Sequence, residues 1–232
     1  MRKIIGTCVL LFMIVFGASA APSGEGERGK LKYTVAVAAE YPIVGVESID
    51  GRLRDWLGEH IGDMVDSFDG IVVDPMLVDG SVEIGVDFTV SRPSGRAMSV
   101  VFETYSFPSG AAHPMTRVDV VSFDMESGRM LGLDDIFADA GRAVRIMSAG
   151  AKAAVEREMV KKAPEFGKED EVWFDDGFKA RRRNYSALVL EPGGVRVIFQ
   201  KYQVLPYVFG MPEAFFSLEE LEEAGPRREL WE

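Results

Sequence analysis

From Ser81 to Ser91 apolar and polar side chains alternate almost without a break. Val82, Ile84, Val86, Phe88 and Val90 fall on one side, and Glu83, Asp87 and Thr89 on the other. A period of two marks a strand with one buried face. Turn sequences then recur at short intervals. Arg92-Pro93-Ser94-Gly95 leads into a return strand over residues 98–107, and residues 108–114 connect it to a strand over 116–124. Glu126-Ser127-Gly128 turns the chain into a further strand over 129–133. Strands joined this closely are expected to pair antiparallel, because a parallel pair needs a crossover of about a dozen residues or more. Two later strands, 187–190 and 195–204, flank the turn Glu191-Pro192-Gly193-Gly194, and an earlier one starts at Leu31 and ends at Tyr41-Pro42.

Two stretches carry the other period. Over residues 48–68, Ile49, Leu53, Trp56, Leu57, Ile61, Met64, Val65 and Phe68 share one face at 3.6-residue spacing. Over 141–162, Val144, Met147, Ala151, Val155 and Met159 do the same, and Pro164 closes the helix. Asp134 or Asp135 is placed to cap a short helix through Phe137. Ser217-Leu218-Glu219-Glu220 is a capping box opening a last one, stopped by Gly225-Pro226. Residues 165–183 are irregular and highly charged, six acids followed by Arg181-Arg182-Arg183. The acids over 165–176 read as a solvated loop, with a site for a cation or a basic partner as the alternative. The fold class is therefore α+β, an antiparallel β-meander sheet packed against two main helices.

The N-terminus has its own logic. Arg2 and Lys3 precede an apolar run from Ile4 to Phe16, and Ala18-Ser19-Ala20 follows as a small-x-small site. That order is a secretory signal peptide over residues 1–20, with Ala21 as the new N-terminus. The run is too short to stay as an anchor across a hydrocarbon core of ~30 Å. The expected organisation is then a flexible, glycine-rich lead-in over 21–30, a strand–helix module over 31–80, an α+β domain over 81–225 and a tail over 226–232. The chain is expected to work in the periplasm or as a secreted protein, with no retained transmembrane helix.

Export makes composition informative. The single cysteine, Cys8, lies inside the segment to be removed. The exported form is thus free of disulfides, thiol ligands and thiol nucleophiles, and must be held together by burial alone. Loss of Arg2 and Lys3 leaves 24 basic against 37 acidic residues, a net charge of −13. Such a surface repels nucleic acid and anionic lipid and favours a basic protein partner.

Chemistry-bearing motifs are few. No P-loop, dinucleotide fingerprint or nucleophile elbow occurs, and no cofactor or metal is expected. His113, in Tyr105-Ser-Phe-Pro-Ser-Gly110-Ala-Ala-His113-Pro114, has neither a second histidine at ligand spacing nor a marked catalytic partner. A turn histidine bonded to a backbone group accounts for it. His60, between Leu57 and Met64 on the first helix, reads as a satisfied boundary histidine. Phe199-Gln-Lys-Tyr202-Gln-Val-Leu-Pro206-Tyr207-Val-Phe-Gly210 concentrates aromatic and proline residues into a rigid amphipathic surface, of the kind used in binding and also in edge packing.

Three of these segments occur in a recognisable order. They are Tyr105…Gly110-Ala-Ala-His113-Pro114; Phe123-Asp124…Ser127-Gly128-Arg129…Leu131-x-Leu133-x-Asp135-Ile136-Phe137; and Phe199-x-x-Tyr202-x-x-x-Pro206-Tyr207-x-x-Gly210. Together they resemble the extracytoplasmic domain of unknown function shared by RsiV-type anti-sigma factors and PdaC-type peptidoglycan deacetylases. Residues 31–80 are similar to the companion module that precedes it there. The resemblance implies an extracytoplasmic α+β domain that is not itself catalytic. It senses lysozyme in the first branch and accompanies a separate enzyme domain in the second. This sequence shows neither an anti-sigma segment nor a deacetylase domain, so it is not expected to relay a signal by itself. Leu205 stands where alanine is common in the family, and Val208-Phe209 is bulkier than the usual pair.

The leading expectation is an exported, non-catalytic binding module of the cell envelope, with lysozyme or a peptidoglycan-type glycan as partner. Its candidate binding residues are Tyr105, His113, Pro114, Tyr202, Pro206 and Tyr207. The alternatives are an envelope polysaccharide-acting enzyme using His113 and Asp124, and a structural protein that oligomerises through the Tyr202–Gly210 edge.

Overall fold

A computed structural model describes residues 6–16, 33–68, 80–162, 166 and 172–232. The basic residues Arg2 and Lys3, the cleavage site at 18–20, the lead-in at 21–30 and the acids Glu165, Glu169, Asp170 and Glu171 lie outside the described residues. Chain contacts divide the protein into two compact units. One comprises Arg2–Phe88 with Glu103–Thr116, and the other Thr89–Phe102 with Arg117–Glu232.

In the first unit, strand β1 (Gly6–Phe16), which falls within the expected signal segment, pairs antiparallel with β2 (Tyr33–Ile43). Helix α1 (Glu47–Ser67) follows and lies against β2. Its start is fixed by Asp50, whose carboxylate accepts the N–H groups of Val44 (2.7 Å) and Gly45 (3.0 Å). Ile49, Leu53, Leu57, Ile61 and Val65 are buried on one stripe, and Phe68 closes it. Each such side chain contributes roughly 1.5–3 kcal/mol by leaving water.

Strand β3 (Gly80–Ser91) then joins β2 in parallel. Buried residues meet pair by pair: Val35 opposite Val82, Val37 opposite Ile84, Ala39 opposite Val86. Here the structure corrects the sequence reading. The sheet is mixed and not purely antiparallel, because α1 supplies the crossover a parallel pair requires.

Among the described residues the strand order is β1 to β6, with β4 (Ala97–Pro108), β5 (Met115–Asp124) and the short β6 (Met130–Leu131) following β3. The alternation along β3 has the expected phase, with Val82, Ile84 and Val86 buried and Glu83 and Asp87 exposed.

Among the described residues the second unit holds the larger core. Helices α2 (Leu133–Ile136) and α3 (Ala140–Lys162) precede a separate antiparallel sheet of β7 (Leu188–Glu191), β8 (Gly194–Ile198) and β9 (Glu213–Ser217). Helix α3 packs on β9, burying Val144, Met147, Ala151, Val155 and Met159 as the spacing requires. Phe216 reaches the helix where Gly150 leaves room. A Cβ there would lie 3.3 Å from the ring.

Four local expectations change. The strand expected over 195–204 stops at Ile198, and the chain turns instead. The described part of the stretch 165–183 is not wholly irregular. Two 3-10 helices, Asp175–Phe178 and Arg182–Tyr185, bury Phe178 and Tyr185. Tyr185 Oη–H and Ser148 Oγ–H both donate to the Phe178 carbonyl, at 2.7 and 2.6 Å. Neither Asp134 nor Asp135 is the N-cap of α2. Gly132 takes that place, Asp135 reaches back to its N–H (2.9 Å), and Asp134 pairs with Arg182. The Ser217–Glu220 capping box forms reciprocally, at 2.7 and 3.1 Å, but opens only a 3-10 turn at Glu222–Ala224.

Candidate functional site

The six candidate residues divide between the two units, three in each. Tyr105 lies on β4 in the first unit, and its ring edge covers Gly85 of β3, so that a Cβ at Gly85 would touch it at 3.8 Å. The connection after β4 is tied down by Ser109, whose N–H and hydroxyl both donate to the Ser81 carbonyl (2.7 and 2.8 Å), and by Gly110 at φ +83°. His113 follows on the exposed side, and its Nδ1–H donates to the Pro114 carbonyl at 3.1 Å. That is a turn histidine bonded to backbone. His60 is likewise engaged, stacked on Trp56 (centroids 4.8 Å apart) and bonded through Nε2 to Thr104 Oγ1 at 3.0 Å. Among the described residues no group of three or more His, Cys, Asp or Glu side chains stands ready to hold a metal.

Asp124, nominated as an acid–base partner, belongs to the second unit and has its oxygens committed. Oδ1 accepts the N–H groups of Glu126 and Ser127, both at 2.9 Å, and Arg96 lies 3.4 Å from Oδ2. Burial pushes this carboxyl up. The Ser127 and Glu126 backbone groups and Arg96 more than reverse that, leaving its pKa below the ordinary value. It is an ionised carboxylate that fixes the 124–129 turn.

The turn that replaces the end of the expected strand contains the other three candidates. After Phe199, the Gln200 side chain substitutes for a neighbouring strand. Its carbonyl accepts the Val118 N–H (3.0 Å), and its amide donates to the Val118 carbonyl (2.6 Å). Gln203 Oε1 accepts the Gln200 N–H at 3.0 Å, and its amide donates to the Asn184 carbonyl at 3.0 Å. Val204 and Leu205 are wholly buried and pin the turn to the core.

Held in this way, Tyr202 adopts φ +64°, and no other described residue except glycine has a positive φ. For a bulky side chain that is an outlier. Tyr202 is 57% exposed, and its ring leans on Tyr207 at 5.6 Å and 37°. Pro206 starts the 3-10 turn Tyr207–Phe209. Lys201 Nζ lies 4.4 Å above the Tyr207 ring, a cation–π contact, and Val208 projects with 80% of its surface exposed. Phe209 turns inward against Phe166 (5.4 Å, perpendicular).

The result is a compact aromatic knob with a cationic edge, fixed by side-chain amides. Its described side chains meet by ring stacking and a cation–π contact. The sequence marked Tyr202, Pro206 and Tyr207. It did not mark Lys201, Gln200 or Gln203, whose roles depend on the distant partners Val118 and Asn184.

The sequence model of one family, DUF3298, a protein family of unknown function, matches residues 134–219. No curated protein matches the chain. Among solved structures, a DUF3298 family protein from Pseudomonas aeruginosa PAO1 is 15% identical, with a TM-score of 0.58 over 98% of this chain and 99% of that one. A DUF3298 family member from Bacteroides fragilis NCTC 9343 is 13% identical over 95% and 96% of the two chains, with a TM-score of 0.44. The matched segment runs from Asp134 through the Tyr202–Tyr207 knob to β9, and over that length this chain is similar to DUF3298 proteins and shares a fold with the Pseudomonas one.

Proposed function

We propose that this protein is an exported, non-catalytic binding module of the cell envelope. Its contact surface is the knob formed by Tyr202, Pro206, Tyr207 and Val208. The observation that carries this reading is Tyr202 itself. A tyrosine at φ +64° costs backbone energy, and it is held there while its ring remains mostly in solvent. Core packing gains little from such a residue. Strain maintained for an exposed aromatic fits recognition better than stability.

The partner is a lysozyme or a peptidoglycan-type glycan. The resemblance to RsiV-type and PdaC-type envelope domains supports both. A net charge of −13 after removal of residues 1–20 complements a strongly basic protein, and tyrosine faces suit sugar rings. Export follows from the basic, apolar and small-residue order of residues 2–20.

Two measurements test the reading. The chain recovered from the envelope fraction of an expressing cell is expected to begin at Ala21. Immobilised, it is expected to retain lysozyme or insoluble peptidoglycan saturably. For lysozyme, affinity should fall as salt rises from low ionic strength. An unprocessed N-terminus would remove the export claim. Failure to retain either partner at low salt would remove the binding claim.

A further inference from the structure

A polar cavity of about 250 Å³ lies in the second unit, and no residue of the aromatic knob lines it. It is lined by Arg96, Asp124, Arg129, Asp135, Arg227 and Glu229, with Leu131 and Leu230 as its apolar wall. By charge the lining is balanced, three guanidinium groups against three carboxylates. By hydrogen bonding it is not.

Asp124 and Asp135 are turned into their own backbone turns. Asp124 holds Glu126 and Ser127 N–H, and Asp135 holds Gly132 N–H on one oxygen and Arg129 Nη1 (2.7 Å) on the other. The backbone N–H of Gly132 and the Arg129 guanidinium keep the Asp135 carboxyl below its ordinary pKa, so both aspartates stay charged.

The arginines have capacity to spare. A guanidinium offers five N–H donors in a planar fork. Arg129 uses one nitrogen on Asp135, and Arg96 uses two, on Asp124 and Glu126 (3.1 Å). Arg227 bonds only through its backbone, whose N–H donates to the Ile136 carbonyl at 2.9 Å. Among the described residues its side chain makes no hydrogen bond or ion pair, and it acts on Asp135 through charge alone. Glu229 is likewise uncommitted to a cation. The cavity thus presents unused donors at Arg129 and Arg227, an unused acceptor at Glu229, and a small apolar wall.

We infer that this cavity binds a small zwitterion, an amino acid or short peptide with free ends. The carboxylate sits on the forks of Arg227 and Arg129. The ammonium group pairs with Glu229, and a small side chain meets Leu131 and Leu230. A doubly charged phosphate would leave the balanced lining with a surplus of negative charge, whereas a zwitterion leaves it neutral.

The test is calorimetric titration of the full chain with alanyl-alanine, alanyl-alaninamide and inorganic phosphate. Saturable binding is expected for alanyl-alanine, and no saturable binding for the amide or for phosphate. Arg227→Gln should weaken alanyl-alanine by about 10–100-fold, the loss expected when a charged hydrogen bond is removed, with unchanged thermal unfolding. Glu229→Gln should remove the preference for a free over an acetylated amino group. Lysozyme or peptidoglycan retention should be untouched in both variants, so the two proposals fail separately. Absence of saturable alanyl-alanine binding, binding unaltered in Arg227→Gln, or tighter binding of phosphate would each overturn the inference.

Discussion

At the scale of single residues, the second unit is fixed by places where no side chain fits. A Cβ on Gly177 would fall 1.9 Å from the Gln203 carbonyl oxygen and 2.8 Å from Val204 Cγ1. This glycine lets the 3-10 helix Asp175–Phe178 lie directly on the turn at Gln203–Val204, where Phe174 N–H also reaches the Val204 carbonyl at 2.9 Å. Gly177→Ala is therefore expected to destabilise the protein by about 3 kcal/mol, at the upper end for an overpacked site, read as a lowered urea midpoint. A change of a few tenths would mean that the two segments separate easily. The close approach has no sequence signature. A glycine among acids looks like a loop glycine until Gln203, 26 positions later, is seen against it.

At the scale of elements, β8 and β9 are joined by a charge network on their outer face as well as by their ladder. Arg196 donates to Glu191 and Glu213, each at 2.6 Å, and Lys162 of α3 reaches the other oxygen of Glu213 at 2.8 Å. Burial raises the Glu213 pKa. The bond from Lys162 and the charge of Arg196 lower it further than burial raises it, so the folded value lies below the ordinary one. The sign follows directly. A carboxyl with a lowered folded pKa stabilises the protein above the unfolded pKa, and that contribution is lost as pH falls through the folded value. Glu213→Gln should cost about 1–3 kcal/mol near neutrality and flatten the acid limb of a stability–pH curve. An unchanged acid limb would show that the network contributes nothing.

Most elements were legible in the sequence because they carry a clean period: β3 by alternation, α1 and α3 by their stripes. The direction of β3 against β2 was not, since periodicity is blind to pairing and α1 serves a parallel crossover as well as it serves a layer. Over 165–183 the charges mask the aromatic signal of Trp173, Phe174 and Phe178, which runs on to Tyr185. Of these four aromatics, Phe178 and Tyr185 are buried.

At the scale of the molecule, the site was half legible. Tyr202, Pro206 and Tyr207 stand out by composition, and the structure gathers them into one exposed turn. Tyr105, His113 and Pro114 belong to the other unit, where His113 serves its own loop. The charged cavity was invisible in the sequence, because Arg96, Arg129 and Arg227 are spread over 132 positions with nothing in their neighbours to mark them. Acidity, export and an aromatic contact surface form one account. On the proposed reading the chain is presented outside the cytoplasm, attracts basic partners over distance through its net negative charge, and grips them with Tyr202, held at φ +64°.

That last claim meets its most direct test in Tyr202→Gly. Glycine adopts a positive φ without steric cost. The variant should therefore unfold at the same or a higher denaturant midpoint, by up to about 1–2 kcal/mol of relieved strain, while its retention of lysozyme or peptidoglycan falls at least several-fold. A variant that is less stable and binds as well as the parent would make Tyr202 a packing residue and contradict the account.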